Sequence, residues 1–507
     1  MNAINRRKFL TYTLSAAATA VLFRAGKGWA TEHAQMNMSG GMEGMSGMGG
    51  MHSMTGNGAA LLPLDALPQG QPLGKLATLT NSSPTAGLFK AQLVAAEQKI
   101  ELVPGKPTTF FTYNNHLPGQ LIEAYEGDTV EIEFTNKLNE ETTVHWHGMP
   151  VPPDQDGNPS NPVKPNETRV YRFTLPKGSA ATYWYHTHAH NLVSTQAYKG
   201  LAGAFIVRAK NDPLAALPEQ HWLFSDLRLD VDGKLPENTM MDWMNGREGQ
   251  FTLINGQFRP TIDINGTQRI RVWNACNGRY LNLAIPNCEL IVVGTDGGLL
   301  EAPREPVSSL LVTPGERYEI VVKAKQNGTF ELQNQSYDRK KMMEDFKPDT
   351  YLLATVRIQN AQNPTLPSSL RPIPDLGKPT AFKQVTLSEK MGNDMNNMFL
   401  INGKTYDMAR IDLTSKANEV EEWTVKNASH MDHPFHLHGT QFIVTERIAE
   451  GGKAEKAGKA LKDTVNLRPG ETVKFKAVQQ DEGIRMFHCH ILEHENLGMM
   501  AQLKVVR

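Results

Sequence analysis

The chain is poor in cysteine, in net charge and in aromatic residues. It has 3 cysteines in 507 residues, which excludes a disulfide framework as the basis of the fold. The 52 basic and 53 acidic residues nearly cancel, so we expect no nucleic-acid partner and no electrostatic membrane anchor. Aromatic residues are few at 7%, whereas 42 glycines and 30 prolines are typical of a protein built from strands and turns.

The chain also lacks an apolar run long enough to cross a bilayer. An apolar run from Thr11 to Phe23 is too short for a span; it follows Arg6 and Arg7, and small residues end at Ala30. This arrangement predicts a signal peptide over residues 1–30, and the paired arginines are typical of a twin-arginine signal. We therefore expect export to the periplasm and no membrane span.

Residues 31–60 are rich in methionine and glycine. Seven methionines lie between Met36 and Met54, and from Met42 onward one recurs at every third position. This composition cannot bury enough apolar surface to fold, so the segment is predicted to be a flexible leader. A solvated linker has no need of so many thioethers, which are soft ligands for Cu(I). We expect the leader to bind additional labile Cu(I).

A pattern of two strand signals joined by a Pro-x-Glu turn occurs three times. The turns begin at Pro165, Pro314 and Pro469, and only the first and last copies carry His-x-His motifs. Short strands separated by turn signals predict an all-β fold of three tandem β-sandwiches. The predicted domains are residues 61–210, 211–375, which has no metal-binding motif, and 376–507. Proline-containing linkers separate them.

The segment Phe487–Met500 contains His488, Cys489 and His490 in direct succession. On a strand, Cys489 projects to one face and the two histidines to the other, so one strand contacts two sites. A thiolate, imidazoles and a weak methionine ligand are typical of a blue-copper site, whereas zinc prefers a closed tetrahedral set. With Cys489 so used, Cys276 and Cys288 are left as one disulfide or as two buried thiols.

Ten of the 16 histidines lie in four short segments. Each segment contains a His-x-His pair, whose imidazoles share one face of a strand. The pairs are His145 and His147, His186 and His188, His436 and His438, and His488 and His490. Eight nitrogen ligands exceed the need of one ion and suit a cluster of about three coppers between the first and third domains. His433 is the natural second nitrogen beside Cys489 and His494.

These motifs resemble those of the multicopper oxidases, in particular the bacterial copper-efflux oxidases and laccases. The resemblance covers the chain from about Leu62 to its end and implies three cupredoxin domains holding four copper ions. It assigns one type 1 copper to His433, Cys489, His494 and Met499, one type 2 copper to His145 and His436, and a type 3 pair to His147, His186, His188, His438, His488 and His490.

The resemblance also implies the reaction. A reducing substrate gives electrons singly to type 1 copper, and they pass through Cys489 to the cluster, where dioxygen becomes water. Asp156 and Glu495 match acids that relay protons in the family, although alone they would be interpreted as a turn aspartate and a solvated glutamate.

The expected substrate is Cu(I), with phenols or Fe(II) as further small donors, and the expected role is copper tolerance. Met431 resembles a Cu(I)-binding methionine of the efflux oxidases; Met391, Asp394, Met395 and Met398 either complete such a site or fill gaps in the core. The chain lacks the long Met-His insertion of the best-known members, and Ser429 stands where they have an acid.

Two alternatives stay open. One is a laccase with an organic natural donor, and the other is a periplasmic copper-sequestering protein with incidental oxidase activity. Oligomeric state is not fixed by the sequence, and a monomer is favoured.

Overall fold

The computed structural model describes residues 58–390 and 398–507. The predicted signal peptide, nearly all of the methionine-rich leader, and Met391, Asp394 and Met395 lie outside these ranges. Within them the chain is almost entirely β-structure, as predicted, and forms three successive two-sheet sandwiches.

The first sandwich pairs two four-stranded sheets, with strand orders β2-β1-β4-β6 and β3-β8-β7-β5. Its strands are β1 (Leu88–Val103), β2 (Lys106–Tyr113), β3 (Gly119–Tyr125), β4 (Thr129–Asn136), β5 (His145–His147), β6 (Thr168–Thr174), β7 (Ala181–His186) and β8 (Ala202–Arg208).

The second sandwich pairs a seven-stranded sheet, β11-β10-β9-β13-β18-β15-β16, with a five-stranded sheet, β12-β20-β19-β14-β17. Its strands are β9 (Glu219–Leu227), β10 (Phe251–Ile254), β11 (Gln257–Phe258), β12 (Thr261–Asn265), β13 (Arg269–Asn274), β14 (Leu281–Ala284), β15 (Cys288–Thr295), β16 (Gly298–Leu299), β17 (Leu310–Val312), β18 (Arg317–Ala324), β19 (Gly328–Asn334) and β20 (Tyr351–Gln359). Cys276 and Cys288 are buried free thiols in its core.

The third sandwich pairs the sheet β22-β21-β24-β30-β26-β27, in which β28 also pairs with β26, with the sheet β23-β32-β31-β25-β29. Its strands are β21 (Ala381–Glu389), β22 (Phe399–Ile401), β23 (Leu413–Lys416), β24 (Val420–Asn427), β25 (His433–Leu437), β26 (Phe442–Ile448), β27 (Ala454–Lys456), β28 (Leu461–Lys462), β29 (Thr464–Leu467), β30 (Thr472–Val478), β31 (Gly483–Cys489) and β32 (Met500–Val506).

Alternating apolar residues explain how each sheet meets its core. In β4, Val130, Ile132 and Phe134 are fully buried while the intervening residues are partly exposed, and in β30 Val473 and Phe475 repeat this pattern. The period of two that defines a half-buried strand thus builds equivalent strands in the first and third sandwiches.

The segment before β1 joins two sandwiches. Its residues Leu62 and Leu73 donate backbone hydrogen bonds to Leu229 and Thr261 of the second sandwich. Part of the segment that the sequence analysis assigns to the first domain thus packs on the second sandwich. The domain boundaries given there stay predictions.

Helices in the described ranges are short: the 3-10 turn Leu64–Ala66, α1 (Val193–Tyr198), α2 (Met240–Asn245) and α3 (Leu492–Asn496). Thr239 and Asp242 form a capping box at the start of α2. None of these helices is long and apolar enough to cross a membrane.

Candidate metal centre

His433, Cys489 and His494 converge in the core of the third sandwich. His433 begins β25, Cys489 ends the neighbouring β31, and His494 lies on α3. The Cys489 Sγ is 3.4 Å from His433 Nδ1 and 3.7 Å from His494 Nδ1, and the two nitrogens are 3.3 Å apart. All three side chains are fully buried. A thiolate and two imidazoles at these distances suit a soft metal ion such as copper.

The outer nitrogens of these imidazoles are held by other groups. His433 Nε2 is 3.2 Å from Glu389 Oε1, and His494 Nε2 is 3.0 Å from the carbonyl oxygen of Met244 at the end of α2. Phe399 stacks on the His494 ring at 3.9 Å. A hydrogen bond from Nε2 leaves the Nδ1 lone pair free, so both rings present a ligand atom towards Cys489.

Met499 is also buried beside Cys489. The Cys489 N–H donates to the Met499 carbonyl at 3.0 Å, and Met499 belongs to the same apolar cluster. Its predicted role as a weak axial ligand stays a prediction.

A second group unites the four His-x-His pairs between the first and third sandwiches. Strand pairing aligns His145 with His186, and His436 with His488. All eight rings are buried, and neighbouring rings lie within about 6 Å of one another. The potential metal-binding sets among them are His145, His436 and His438; His145, His147 and His186; and His188, His438 and His488. The side of β31 opposite Cys489 therefore faces this cluster, as the alternation predicts.

Every imidazole of this cluster has a nitrogen available for a metal. His145 Nε2, His147 Nδ1, His186 Nε2, His436 Nε2 and both nitrogens of His490 are buried without a hydrogen-bond partner in the described part of the chain. The Nε2 atoms of His188 and His438 instead approach His488 Nε2, at 3.3 and 3.0 Å. Buried polar atoms are normally paired, so these nitrogens fit the donor set of bound copper ions.

Burial favours the neutral form of several of these rings. Burial first, and neighbouring imidazoles second, lower the pKa of His186, His188 and His438 well below the ordinary histidine value. The same two causes act on His147 and His490. A neutral imidazole retains the lone pair that binds a metal.

Asp156 and Glu495 both contact this cluster. Asp156 is fully buried; its Oδ2 is 2.9 Å from His438 Nδ1, and its carbonyl oxygen is 2.9 Å from His145 Nδ1. Glu495 is 2% exposed, with its carboxylate oxygens 3.4 Å from His188 Nε2 and 3.1 Å from His488 Nδ1. The interpretation of Glu495 as a solvated glutamate is therefore wrong, and Asp156 is not a surface turn residue.

Two further acids at these sites were missed by sequence reasoning. Glu389, at the end of β21, contacts His433, and Asp463 accepts from His147 Nε2 at 3.0 Å. Neither belongs to a motif of fixed spacing. The only signal for Asp463 is its place between the His-x-His pair and the Pro-x-Glu turn of the third domain.

The described methionines of the predicted Cu(I) site are both buried. Met431 is 0% and Met398 2% exposed, in the apolar cluster that includes Cys489. Their neighbour Ser429 donates its hydroxyl to Asn427 Oδ1. A role for these thioethers in binding substrate stays a prediction.

Comparison with known proteins agrees with this geometry. Multicopper oxidase family models match residues 95–212, 180–359 and 379–507. A multicopper oxidase from Campylobacter jejuni, described as a metallo-oxidase, is 46% identical with a TM-score of 0.86; the match covers 89% of this chain and 98% of that one.

Two further relatives match most of the chain. Multicopper oxidase mco of Staphylococcus aureus is 31% identical over 426 residues, covering 82% of this chain and 88% of the relative. A laccase of Bacillus subtilis is 27% identical over 474 residues, covering 79% and 90%. The family models and these relatives match most of the chain, and the structure contains two buried clusters of metal-binding side chains. The chain therefore belongs to the multicopper oxidases, copper enzymes that oxidise a reducing substrate with dioxygen.

Proposed function

We propose that the protein is a periplasmic cuprous oxidase that serves copper tolerance and also accepts Fe(II) and phenols. In each cycle four Cu(I) ions become four Cu(II) ions, and one dioxygen takes up the four electrons and four protons to give two waters. The proposal agrees with the 46% identity to the Campylobacter metallo-oxidase. It is supported most directly by one contact that connects the Cys489 site with the surface.

That contact is a carboxylate bridge from the surface to the Cys489 site. Glu389 is buried, with Oε1 3.2 Å from His433 Nε2 and Oε2 2.8 Å from Nδ1 of His430, whose side chain is 57% exposed. A cation held at His430 would lie one carboxylate away from His433. The negative charge of Glu389 favours a cationic donor over a neutral one. This observation supports metal ions as the natural donors.

The copper ligands are proposed as the resemblance assigns them, with four ions per chain. Copper at His433, Cys489, His494 and Met499 would accept electrons one at a time, and copper on the eight imidazoles would supply four electrons to dioxygen. Cys489 is bonded through the backbone to His488 and His490, so this chain provides a short covalent path between the sites.

Asp156 and Glu495 are proposed to carry protons to the cluster. Each places a carboxylate oxygen against imidazoles of the cluster, where a proton can pass directly or through one water. The double amide variant Asp156→Asn with Glu495→Gln is expected to slow dioxygen reduction while the blue absorption persists. Undiminished turnover would remove this role.

An organic donor is the second candidate, because a cavity of about 510 Å³ on the second sandwich is linked to the His433 site by one residue of its wall, Tyr337. Its walls include Tyr280 and Tyr337, whose rings stack at 5.8 Å. The Tyr337 hydroxyl donates to Asp432 Oδ2 at 2.7 Å, and Asp432 precedes His433. The volume suits a small organic molecule.

Oxygen uptake with Cu(I), Fe(II) and a phenol in turn tests the proposal. Cu(I) is expected to be the best donor. Because Glu389 also holds His433, Glu389→Gln is expected to lower uptake with every donor, and to lower uptake with Cu(I) about tenfold more than uptake with the phenol. Tyr337→Phe, which removes a hydroxyl from the wall of the cavity, is the matched control. A phenol preference insensitive to Glu389→Gln would favour the laccase. No uptake from any donor by copper-loaded protein would favour copper sequestration.

A further inference from the structure

The three Pro-x-Glu turns differ in the residue that follows them. In the first and third sandwiches it is Thr168, which is exposed, and Thr472, which is partly buried. In the second sandwich, which carries no His-x-His pair, it is Arg317, with 0% exposure. Each residue begins the equivalent strand, β6, β30 or β18. A fully buried arginine at a position that elsewhere needs only threonine requires partners that the other two turns lack.

Arg317 finds these partners in all three sandwiches. Its Nη1 and Nη2 donate to the two carboxylate oxygens of Asp463 in the third, at 2.6 and 2.5 Å. Its Nε donates to the Thr182 carbonyl on β7 of the first at 2.8 Å, and Nη1 also donates to the Gly315 carbonyl of its own turn at 2.9 Å. The planar guanidinium fixes the carboxylate in one orientation, which a lysine cannot do.

Asp463 in turn holds one histidine from each outer sandwich. Its Oδ1 accepts from His147 Nε2 at 3.0 Å, and its carbonyl oxygen is 2.9 Å from His436 Nδ1. These contacts leave His147 Nδ1 and His436 Nε2 as the atoms without a partner in the described ranges. Asp463 therefore determines which nitrogen of each ring points into the cluster.

The same turn contacts a third imidazole. Gly315 has φ +84°, and a Cβ added there would lie 2.8 Å from ring carbons of His490. The backbone of the second sandwich thus packs against a ring of the cluster, beside the arginine that clamps Asp463.

We propose that Arg317 is a positioning residue, through which the second sandwich orients His147 and His436 for the copper cluster by fixing Asp463. The second sandwich, although it carries no metal-binding motif, then acts on the cluster. This inference rests on the ligand roles proposed above for the two histidines, and its test separates the two claims.

The test compares Arg317→Gln and Arg317→Lys with Arg271→Gln in the full-length protein. Arg271 is the matched control, since it is similarly buried and joins the first two sandwiches through Thr182 Oγ1 and Glu319. The one histidine that its described partners contact is His221, beside Glu219, which does not belong to the cluster. Copper per chain, copper affinity by chelator competition, the blue absorption and the electron paramagnetic resonance of type 2 copper are measured.

Arg317→Gln is expected to weaken binding of cluster copper by at least about tenfold and to change the type 2 resonance, with the blue absorption retained. Arg317→Lys keeps the positive charge but lacks the planar guanidinium that binds both carboxylate oxygens, so it is also expected to show the altered resonance. Arg271→Gln is expected to keep wild-type copper binding. Should Arg317→Gln not fold, Asp463→Asn, which keeps the side-chain volume, replaces it in the comparison.

Cluster copper of wild-type affinity and resonance in both Arg317 variants, or equal loss in Arg271→Gln, would overturn the role of Arg317 and leave the ligand roles intact. Wild-type protein without any cluster copper would instead overturn the ligand roles themselves.

Discussion

A single methyl group at Gly315 is predicted to disrupt the copper cluster. The Cβ of Gly315→Ala would lie 2.8 Å from His490 Cδ2 and Cγ, about 0.6 Å closer than ordinary contact at 3.4 Å. Metal–ligand distances hold to within about 0.2 Å, so a ring displaced by that amount leaves the position it needs. Alanine at φ +84° adds strain of about 1–2 kcal/mol.

Gly470→Ala is the control variant, because it introduces the same backbone strain without displacing an imidazole. Gly470 occupies the same turn position in the third sandwich, with φ +71°, but the atoms nearest to its added Cβ belong to the exposed Glu450, at 2.7–2.8 Å, and not to an imidazole. Backbone strain is therefore expected to lower the free energy of unfolding, measured in denaturant, by about 1–2 kcal/mol in both variants. Only Gly315→Ala is expected to lose cluster copper and the type 2 resonance.

Copper content, resonance spectra and denaturant unfolding of the two variants provide the measurement. The blue absorption should persist in both, because Cys489 faces away from His490 on β31. Wild-type cluster signals in Gly315→Ala, or equal copper loss in Gly470→Ala, would refute the reasoning.

Three other predictions concern the two metal sites, an ion pair within the second sandwich, and the leader. Cys489→Ser should abolish the blue absorption and donor oxidation while copper stays on the imidazoles; loss of all copper would show that the sites are not separable. Burial raises the pKa of Glu319, but Arg269 and Arg271 outweigh it and hold that pKa below its ordinary value, so its stabilisation is full above about pH 4.5 and is lost as pH falls through the lowered pKa. Glu319→Gln should thus cost about 3–5 kcal/mol near neutral pH and less in acid, as denaturant unfolding across pH would measure; a loss independent of pH would contradict this. Deleting Met36–Met54 should lower the Cu(I) bound per chain in a titration, and an unchanged stoichiometry would contradict copper capture by the leader.

Local periodicity carried most of what the sequence could predict. The alternation of His488, Cys489 and His490 on a strand requires only the period of two. The structure accordingly places Cys489 beside His433 and His494, and the two histidines beside the other imidazoles. The three-fold turn pattern likewise predicts three sandwiches, because each copy builds its strands from its own neighbours.

The unpredicted residues owe their roles to contacts between distant segments. Asp463 meets His147 across 316 positions, and Arg317 meets Asp463 across 146, so no spacing within one domain signals either contact. Glu389 reaches His433 from a neighbouring strand of the other sheet. Docking of the sandwiches creates the contacts of Asp463 and Arg317, and packing of the two sheets of the third sandwich creates that of Glu389. A pattern within one segment of the chain cannot indicate contacts of either kind.

The polar network around the donor cluster is extensive because the cluster buries many ring nitrogens. Imidazoles held close together with unpaired nitrogens on five of the rings are unfavourable, since a buried polar atom without a partner in the described part of the chain costs about 1–3 kcal/mol. Their outer nitrogens therefore need fixed acceptors, which the carboxylates of Asp156 and Asp463 and nearby backbone carbonyls supply. The Asp463 carboxylate is itself fully buried, and its ion pair with Arg317 offsets much of the cost of burying its charge. The imidazoles thus need the carboxylates, and the Asp463 carboxylate needs Arg317. Arg317 lies in the second sandwich, which carries no His-x-His pair.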